Sequence, residues 1–279
     1  MMGVRGLRAR LAGRPQLSRP VKRLRAVSDA RFKTKLRLDP HAAVLILSPH
    51  LDDAVLSCWS MLSDSGPVAV VNVFAGIPDT PALSPWDRLS RAGEARERMR
   101  ERLKEDAEAL AKTGRTPMNL ELIDDEYRNI LRRPSLAQID AAVAGRVPRA
   151  SRILAPLGVR HPDHKLVQRH AIQLSRKGFP VTLYADVPQA AQYGWPHWVT
   201  GEPENPHLDP EILWDDALTR AAAVTVSEPR VERLSTAASH AKLEALGAYR
   251  TQFAALDAGS VGILRNDLIR DFEVFWDLT

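Results

Sequence analysis

The sequence predicts an α/β fold in which a mostly parallel β-sheet carries helices on both faces, followed by a small C-terminal extension. Apolar segments of strand length alternate along the first 188 residues with segments of helical periodicity, as they do in βαβ units. The run Ala42 to Leu47 is apolar without alternation, which is typical of a parallel strand buried on both faces. A chain of 279 residues, 44% apolar and 26% charged, is long enough for one large domain of this kind.

The individual elements follow from the apolar runs and from the turn residues between them. The predicted strands cover residues 42–47, 67–74, 118–123, 152–157 and 181–188. One predicted helix begins after Asp52, and three more cover residues 88–112, 135–147 and 162–177. Residues 221–279 indicate one more strand, a long helix and an apolar ending. We expect a core over about 40–188 and a C-terminal cap over about 189–279, together one domain over residues 39–279.

Three segments between these elements are irregular. Residues 189–216 combine three tryptophans with many prolines, and such aromatic side chains either stack on sugar rings or form a small core. Residues 77–87 are rich in proline and form a loop in which Asp79 or Trp86 could line a pocket. Asp124 and Asp125 follow the third predicted strand, and we interpret them as a solvated turn or as partners for sugar hydroxyls.

The positive charge of the chain is concentrated at its start. Residues 1–38 contain 12 Lys or Arg and a single acid, whereas the remainder contains 27 basic and 33 acidic residues. Arginines interrupt every hydrophobic run of this basic arm, so it lacks the apolar core of a secretory signal. The arm either forms a basic amphipathic helix on an anionic membrane surface, or packs on its own domain or on a second copy of the chain. We expect no nucleic-acid partner, and we leave a homo-oligomer open.

A first polar motif, Ser48 to Asp53, follows the first predicted strand directly. Here His50 lies at the carboxyl end of a strand, and Asp52 and Asp53 begin the next helix. Capping alone would explain both aspartates, because carboxylates satisfy the free N–H groups at a helix start. The carboxyl end of a parallel strand is, however, also where α/β proteins bind their ligands.

A second motif, His161-Pro162-Asp163-His164, follows the strand at 152–157. Proline is favoured at the first helical position, so His161 is predicted near the N-cap and His164 in the first turn. Residues three apart share a helix face, so both imidazoles can point to one place. Two strand-to-helix junctions that each carry His and Asp therefore predict one shared site.

The two motifs resemble the PIG-L/LmbE-like family of zinc-dependent de-N-acetylases. The resemblance extends to residues 102–114 (Arg-x-x-Glu-Asp-x-x-Ala-Leu-x-x-x-Gly) and 242–252 (Lys-Leu-Glu-Ala-Leu-x-x-Tyr-Arg-Thr-Gln). One departure is Leu51, where the commonest family pattern has proline. The resemblance implies a Rossmann-like fold and an enzyme that removes an acetyl group from an N-acetylated amino sugar in a glycoside, glycolipid or natural-product intermediate.

The family resemblance also implies a metal. We predict that His50, Asp53 and His164 bind one Zn²⁺, while ligand type alone leaves Fe²⁺ or another transition ion open. Asp52 is predicted as the general base for the attacking water. Because adjacent carboxylates can exchange roles, the residues alone leave the assignment of Asp52 and Asp53 open.

Two further residues of the second motif complete the predicted site. His161 faces the site without binding the metal and, as imidazolium, stabilises the oxyanion and protonates the leaving amine. Asp163 holds an imidazole in its working tautomer.

Two other functions are left open by the sequence. One is a metal-dependent amidase for a larger amide such as a thiol conjugate, and the other is a non-catalytic protein that binds sugars or membranes. The single cysteine, Cys58, fits a reducing compartment, and we expect a cytoplasmic protein.

Overall fold

A computed structural model of the 279-residue chain describes residues 44–128, 134–143, 152–259, 262 and 265–279. The predicted basic arm, residues 1–38, lies outside the described residues. Within the described part, one mixed sheet of seven strands is the central element. The strands are β1 (Val44–Ser48), β2 (Val68–Asn72), β3 (Pro117–Asn119), β4 (Arg152–Pro156), β5 (Val181–Tyr184), β6 (Arg230–Arg233) and β7 (Phe272–Leu278).

The sheet has the order β3-β2-β1-β4-β5-β7-β6, and its first five strands are parallel. The chain runs outward from β1 to β3 and then returns to place β4 on the other side of β1. Because crossovers between parallel strands are right-handed, this reversal puts the connecting helices on opposite faces of the sheet. The predicted α/β fold is therefore confirmed.

Helices connect the strands and cover the sheet. They are α1 (Asp53–Ser57), α2 (Trp59–Leu62), α3 (Pro85–Leu89), α4 (Ala95–Ala111), α5 (Leu136–Val143), α6 (Pro162–Arg176), α7 (His197–Thr200), α8 (Ile212–Ala221), α9 (Thr236–Leu246), α10 (Phe253–Gly259) and α11 (Asp267–Arg270), with single 3₁₀ turns at Asp125–Tyr127 and Gln189–Ala191. No described helix has both the length and the apolar composition that a membrane span requires.

The C-terminal region shares the sheet with the first half of the chain. Strand β7 pairs antiparallel with β5, and β6 pairs antiparallel with β7. The division into a core and a C-terminal cap stays a prediction, and the hydrogen-bonded sheet crosses it.

Several predicted elements differ from the structure. The helix predicted after Asp52 is interrupted at Cys58 and forms α1 and α2, and the apolar ending of residues 221–279 is itself a strand, β7. The predicted helix 88–112 is two helices, because a capping box between Ser84 and Asp87 begins α3 early and Arg91 adopts a left-handed backbone with φ 56°. The predicted strand 118–123 is shorter, since only Pro117–Asn119 pairs with β2 as a ladder. Beyond it, Glu121 makes an isolated bridge to Phe74.

The tryptophans of residues 189–216 form a core. Trp214 is 1% exposed and contacts Trp195, Trp198 and Trp276 edge to face, with ring centroids 5.5–5.9 Å apart. The indole N–H groups of Trp195 and Trp214 donate to the backbone carbonyls of Ile269 and Ala190. Of the two interpretations of this segment, packing is therefore the one that the structure supports.

Candidate functional site

Hydrogen bonds among neighbouring residues hold the loop after β1 in place. Ser48 Oγ donates to the carbonyl of His50 at 2.6 Å and accepts from the N–H of Ala54 at 3.1 Å. Asp53 Oδ2 accepts from the backbone N–H of His50 at 2.8 Å. These contacts hold the His50 ring and the Asp53 carboxylate at the carboxyl end of β1, where both are buried.

The second motif lies beside the first, after β4. His161 is the N-cap of α6, and its Nδ1 accepts from the backbone N–H of Asp163 at 3.2 Å. The predicted positions of His161 at the N-cap and of His164 in the first turn are thus confirmed. Gly158 has φ +82°, and a Cβ at this position would approach the Gln168 side chain to 3.0 Å. Glycine is therefore required where the chain turns from β4 into the motif.

Three ligand-type atoms from the two motifs converge on one point. His50 Nδ1 lies 3.5 Å from Asp53 Oδ2 and 3.2 Å from His164 Nε2, and His164 Nε2 lies 3.3 Å from Asp53 Oδ2. Ligand atoms of a tetrahedral zinc site with bonds of about 2.0–2.1 Å are roughly 3.3 Å apart. The triangle formed by His50, Asp53 and His164 therefore has the dimensions that a tetrahedral metal requires.

The other nitrogen of each imidazole in this triangle faces a carboxylate. His164 Nδ1 lies 3.0 Å from Asp186 Oδ2, and His50 Nε2 lies 3.3 Å from Asp163 Oδ2. A carboxylate at one ring nitrogen fixes the N–H there, which leaves the lone pair of the other nitrogen directed to a metal. Asp163 thus contacts an imidazole, that of His50, and its role in fixing the tautomer stays a prediction.

Asp186 is a functional residue that the sequence did not reveal. It follows β5, and its carboxylate also accepts from the backbone N–H groups of Gly158 at 3.0 and 3.1 Å and of Val159 at 2.8 Å. Asp186 therefore ties the loop after β4 to the ring of His164. Its signal in the sequence was its position at the end of a predicted strand that lies next to β4.

Other ligand-type atoms in the described residues also lie close together. One atom from each of His50, His161 and His164 lies within 4.8 Å of the others, and so does one from each of His50, Asp124 and Asp163. The site is thus a candidate divalent-metal site with six polar side chains around it, and His50 lies at its centre.

The charge of the site favours a cation. Burial lowers the pKa of His164, but Asp53 and Asp186 outweigh it and raise the pKa to about 9. For His50, burial is again the largest effect, and the surrounding carboxylates, Asp124 first, still raise its pKa well above the ordinary value. A buried place that raises the pKa of two imidazoles stabilises positive charge there.

Asp52 occupies the N-cap position of α1, but its side chain makes no capping hydrogen bond. It is 7% exposed and lines the cavity that contains His50 and Asp53. Burial, and then the charge of Asp53, raise the pKa of Asp52 to about 6. Capping therefore does not account for this residue, and its carboxylate is directed to the cavity.

The ring of His161 packs against the rings of His50 and His164, but it does not pair with the carboxylates that face those two rings. Its ring centroid is 4.7 Å from that of His50 and 5.2 Å from that of His164. Burial, followed by the two neighbouring imidazoles, lowers the pKa of His161 to about 3. The ring is therefore neutral, and because Nδ1 accepts a backbone N–H, its own proton resides on Nε2.

Asp124, after β3, lies at the site, so the interpretation as a solvated turn is wrong for this residue. It is 5% exposed, and its Oδ2 lies 3.6 Å from His50 Nε2 and 3.7 Å from Arg102 Nη1. Arg128 pairs with the neighbouring Asp125 at 2.9 Å and also with Asp163. No histidine is close to Asp124 in the sequence, and the sheet places His50, from the loop after β1, beside it.

A cavity of about 160 Å³ opens beside these groups. Its lining consists of His50, Asp52, Asp53, Leu56, Trp86, Arg102, Asp124, Glu126, His161, Pro188, Gln189 and Leu256. The predicted loops 77–87 and 189–216 thus contribute one residue each, Trp86 and Gln189. Leu256, from α10, was not expected.

The fold and the site define a hydrolase domain of the de-N-acetylase class. Residues 45–175 match the family described as PIG-L, GlcNAc-PI de-N-acetylase. The match confirms both the predicted resemblance and the predicted class of enzyme. No protein of curated function matches the sequence.

Solved structures of deacetylases share the fold over most of their length. A teicoplanin deacetylase in its zinc-inhibited form is 21% identical, with a TM-score of 0.63 over 85% of this chain and 98% of that chain. A deacetylase of the teicoplanin biosynthesis pathway, solved as a complex with bog, is 21% identical over the same shares, with a TM-score of 0.66. The deacetylase of the A40926 pseudoaglycone is 26% identical, with a TM-score of 0.58 over 85% of this chain and 96% of that chain.

Proposed function

We propose that this protein is a zinc-dependent hydrolase that removes the acetyl group from an N-acetylated amino sugar within a glycoside, glycolipid or natural-product intermediate. The observation that carries the proposal is the triangle of His50 Nδ1, Asp53 Oδ2 and His164 Nε2, whose edges are 3.2–3.5 Å. Asp52 and His161 line the same cavity but are not part of the triangle, so they are available for proton transfer and for hydrogen bonding to the substrate.

The three atoms of the triangle would hold the metal. When bound there, Zn²⁺ acts as a Lewis acid that polarises the amide carbonyl and increases the acidity of water. Asp186 and Asp163 keep one N–H on each metal-binding imidazole, so both rings present a lone pair to the same point.

Asp52 moves the protons of the reaction. Its pKa of about 6 leaves it largely ionised at neutral pH and close to the working range of a general base. As water attacks the acetyl carbon, the Asp52 carboxylate takes a proton from it. The same proton then passes from Asp52 to the sugar nitrogen as the C–N bond breaks, which releases the free amine and acetic acid, and the acid ionises to acetate by giving its proton to the solvent or to the amine.

His161 stabilises the developing negative charge as a neutral ring. Its Nδ1 is occupied by the backbone N–H of Asp163, so the Nε2–H is the group that can donate to the carbonyl oxygen. A donor fixed in place before the reaction stabilises the oxyanion at little reorganisation cost. We therefore replace the predicted imidazolium by a neutral hydrogen-bond donor in this proposal.

The size and lining of the cavity support an amino sugar as the group that enters. Pockets that enclose a drug-sized ligand hold about 300–1,000 Å³, and this cavity is smaller. It is too small for a large conjugate, and the hydroxyls of an acetamido sugar would meet the buried side chains of Arg102 and Asp124.

The test uses the purified full-length protein. We expect elemental analysis to find one zinc per chain, and acetate release from the methyl glycoside of N-acetylglucosamine to stop with a chelator and return with zinc. An N-acetylated thiol conjugate, assayed in parallel, would reveal the larger amidase instead. A protein that binds zinc but hydrolyses neither compound contradicts the proposal.

A further inference from the structure

The lining of the active-site cavity divides into a buried floor and a partly exposed rim. His50, Asp52, Asp53, Arg102 and Asp124 form the polar part of the floor. The rim consists of the lining residues that are partly or fully exposed, which are Trp86, Glu126, His161, Pro188, Gln189 and Leu256. The rim thus contains three apolar side chains, of which Trp86 and Leu256 are large, in contrast to the charged floor.

The indole of Trp86 is held in place by its edge. Its N–H donates to Oε1 of Gln252, a residue that is 1% exposed. Gln252 Nε2 in turn donates to Thr251 Oγ1 at 2.9 Å, and the Thr251 hydroxyl donates to Glu105 Oε2 at 2.8 Å. With its only polar atom satisfied behind the rim, Trp86 offers an apolar surface that is already ordered before a ligand binds.

Two further apolar side chains continue this surface. Leu56 is buried, Pro188 is partly exposed, and both line the same cavity. Together with Trp86 and Leu256 they form the apolar rim patch, which has no role in the chemistry described above. An ordered apolar patch at the mouth of a polar cavity favours a ligand group that is itself apolar.

We propose that Trp86 and Leu256 are specificity-determining residues that bind an apolar group attached to the sugar, so that the substrate is a glycoside with an aromatic or aliphatic aglycone. The inference rests on the proposed function, since it assigns a place to the part of the substrate outside the acetamido sugar. A cavity of about 160 Å³ is too small to enclose a sugar together with its aglycone, and Trp86 and Leu256, which line it and are partly exposed, are placed to contact the part of the substrate that stays outside.

The test compares two substrates that differ only in the aglycone, the methyl and the phenyl glycosides of N-acetylglucosamine. We expect kcat/KM of the wild-type enzyme to be higher for the phenyl glycoside by about tenfold, because burying a ring removes apolar surface from water. Trp86→Ala should lower kcat/KM for the phenyl glycoside by about 10- to 50-fold and bring the ratio of the two substrates close to one.

Two further variants support the assignment. Leu89→Ala, at the other end of the same short helix, removes an apolar side chain that is 59% exposed and lies outside the cavity lining. It should leave kcat/KM unchanged for both substrates. If Trp86→Ala does not fold, Leu256→Ala tests the same patch and should reduce the phenyl preference in the same direction.

The outcomes separate the two proposals. If the metal-loaded enzyme hydrolyses both glycosides with equal kcat/KM and Trp86→Ala keeps their ratio, the apolar subsite is wrong and the deacetylase function stands. If it hydrolyses neither glycoside, the proposed function fails and the subsite falls with it. A preference for the phenyl glycoside that survives both Trp86→Ala and Leu256→Ala also overturns the subsite.

Discussion

The floor and the rim of the cavity are built in different ways from the same chain. Every side chain of the metal triangle, together with Asp52 and His161, comes from two stretches of six residues or fewer, at the tips of adjacent parallel strands. Trp86 and Leu256, the large apolar residues of the rim, come from α3 and α10, which are far apart in sequence. On the two proposals above, the sheet topology positions the residues of the reaction, while separate loops and short helices position the residues that select the substrate.

This difference predicts two kinds of variant. The floor is buried and charged, and His50, Asp53 and Asp124 lie about 3–4 Å from other charged or titratable groups, so the loss of a floor side chain should affect the metal or the reaction itself. Trp86 and Leu256 of the rim are apolar and partly exposed, so their loss should change substrate preference. The variants below test the floor and the support of the rim separately.

The largest effect on catalysis is expected for Asp52→Asn. The amide cannot take a proton from water, so kcat for an acetamido glycoside should fall by about 10²–10⁴-fold, the usual contribution of a general base. The metal content, measured by elemental analysis, should stay at one ion per chain. Asp53→Asn is the matched control in the adjacent residue, and there we expect the metal to be lost.

The same pair of variants decides which aspartate has which role. Asp53 Oδ2 lies 3.3–3.5 Å from both imidazole nitrogens of the triangle, whereas Asp52 makes no such contact to an imidazole within the described residues and lines the cavity. A metal-free Asp52→Asn protein together with a metal-loaded Asp53→Asn protein would show that the two roles are exchanged.

A smaller effect is expected for Asp186→Asn. This change weakens the acceptor that holds the N–H of His164, so metal affinity should fall by about 10–100-fold. Competition with a chelator measures the affinity without reference to activity. In Asp140→Asn, a carboxylate 3.9 Å from the unrelated His170 is changed, and the affinity should stay the same. An unchanged affinity in Asp186→Asn would show that the contact to His164 does not orient the ligand.

Much of the fold could be predicted from the sequence because the signals were local. Continuous apolar runs at 42–47, 152–157 and 181–188 correspond to central strands of the sheet, and these strands are buried in the structure. Proline at the first position of α6 correctly placed His161 and His164. The edge strand β3 was predicted too long, because its pairing to β2 is limited by backbone contacts that no residue pattern encodes.

Of the site, only the residues that belong to one of the two sequence motifs could be predicted. His50, Asp53 and His164 come from motifs in which His and Asp are adjacent, and such spacing can be recognised in a sequence. Asp186 is a lone aspartate after a strand, and its contact to His164 depends on β5 lying next to β4. The Trp86–Gln252 contact joins residues 166 positions apart, so it is a product of the tertiary structure alone.

The smallest effect is expected at the support of the rim, where Asp106 connects α4 to the segment that holds Trp86. Asp106 is 2% exposed, and it accepts from Tyr249 Oη at 2.8 Å and from Asn72 Nδ2 at 2.6 Å. Burial raises its pKa to about 7, more than these two hydrogen bonds lower it. The folded state therefore binds a proton that the unfolded chain, with an aspartate pKa of about 3.9, has already released.

The sign of the pH dependence follows from this difference. Between pH 4 and about 7 the folded state holds more protons at Asp106 than the unfolded state, so its contribution to the free energy of unfolding falls as the pH rises. Asp106→Asn reproduces the neutral acid, because its carbonyl can accept from Asn72 and its amide can donate to the Tyr249 hydroxyl. In urea unfolding, the free energy of unfolding of the variant relative to that of the wild type should thus increase between pH 5 and 8, by on the order of 1–4 kcal/mol.

Glu108→Gln, an exposed position on the same helix, provides a control of opposite sign. A hydrogen bond from Arg250 lowers the pKa of Glu108, so its contribution to stability is present at neutral pH and is lost as the pH falls through the lowered value. The free energy of unfolding of this variant should decrease slightly, relative to that of the wild type, as the pH rises. If Asp106→Asn instead runs parallel to the wild type over the whole range, Asp106 is ionised in the folded protein, and the helix that supports the rim is held by a buried charge rather than by a neutral acid.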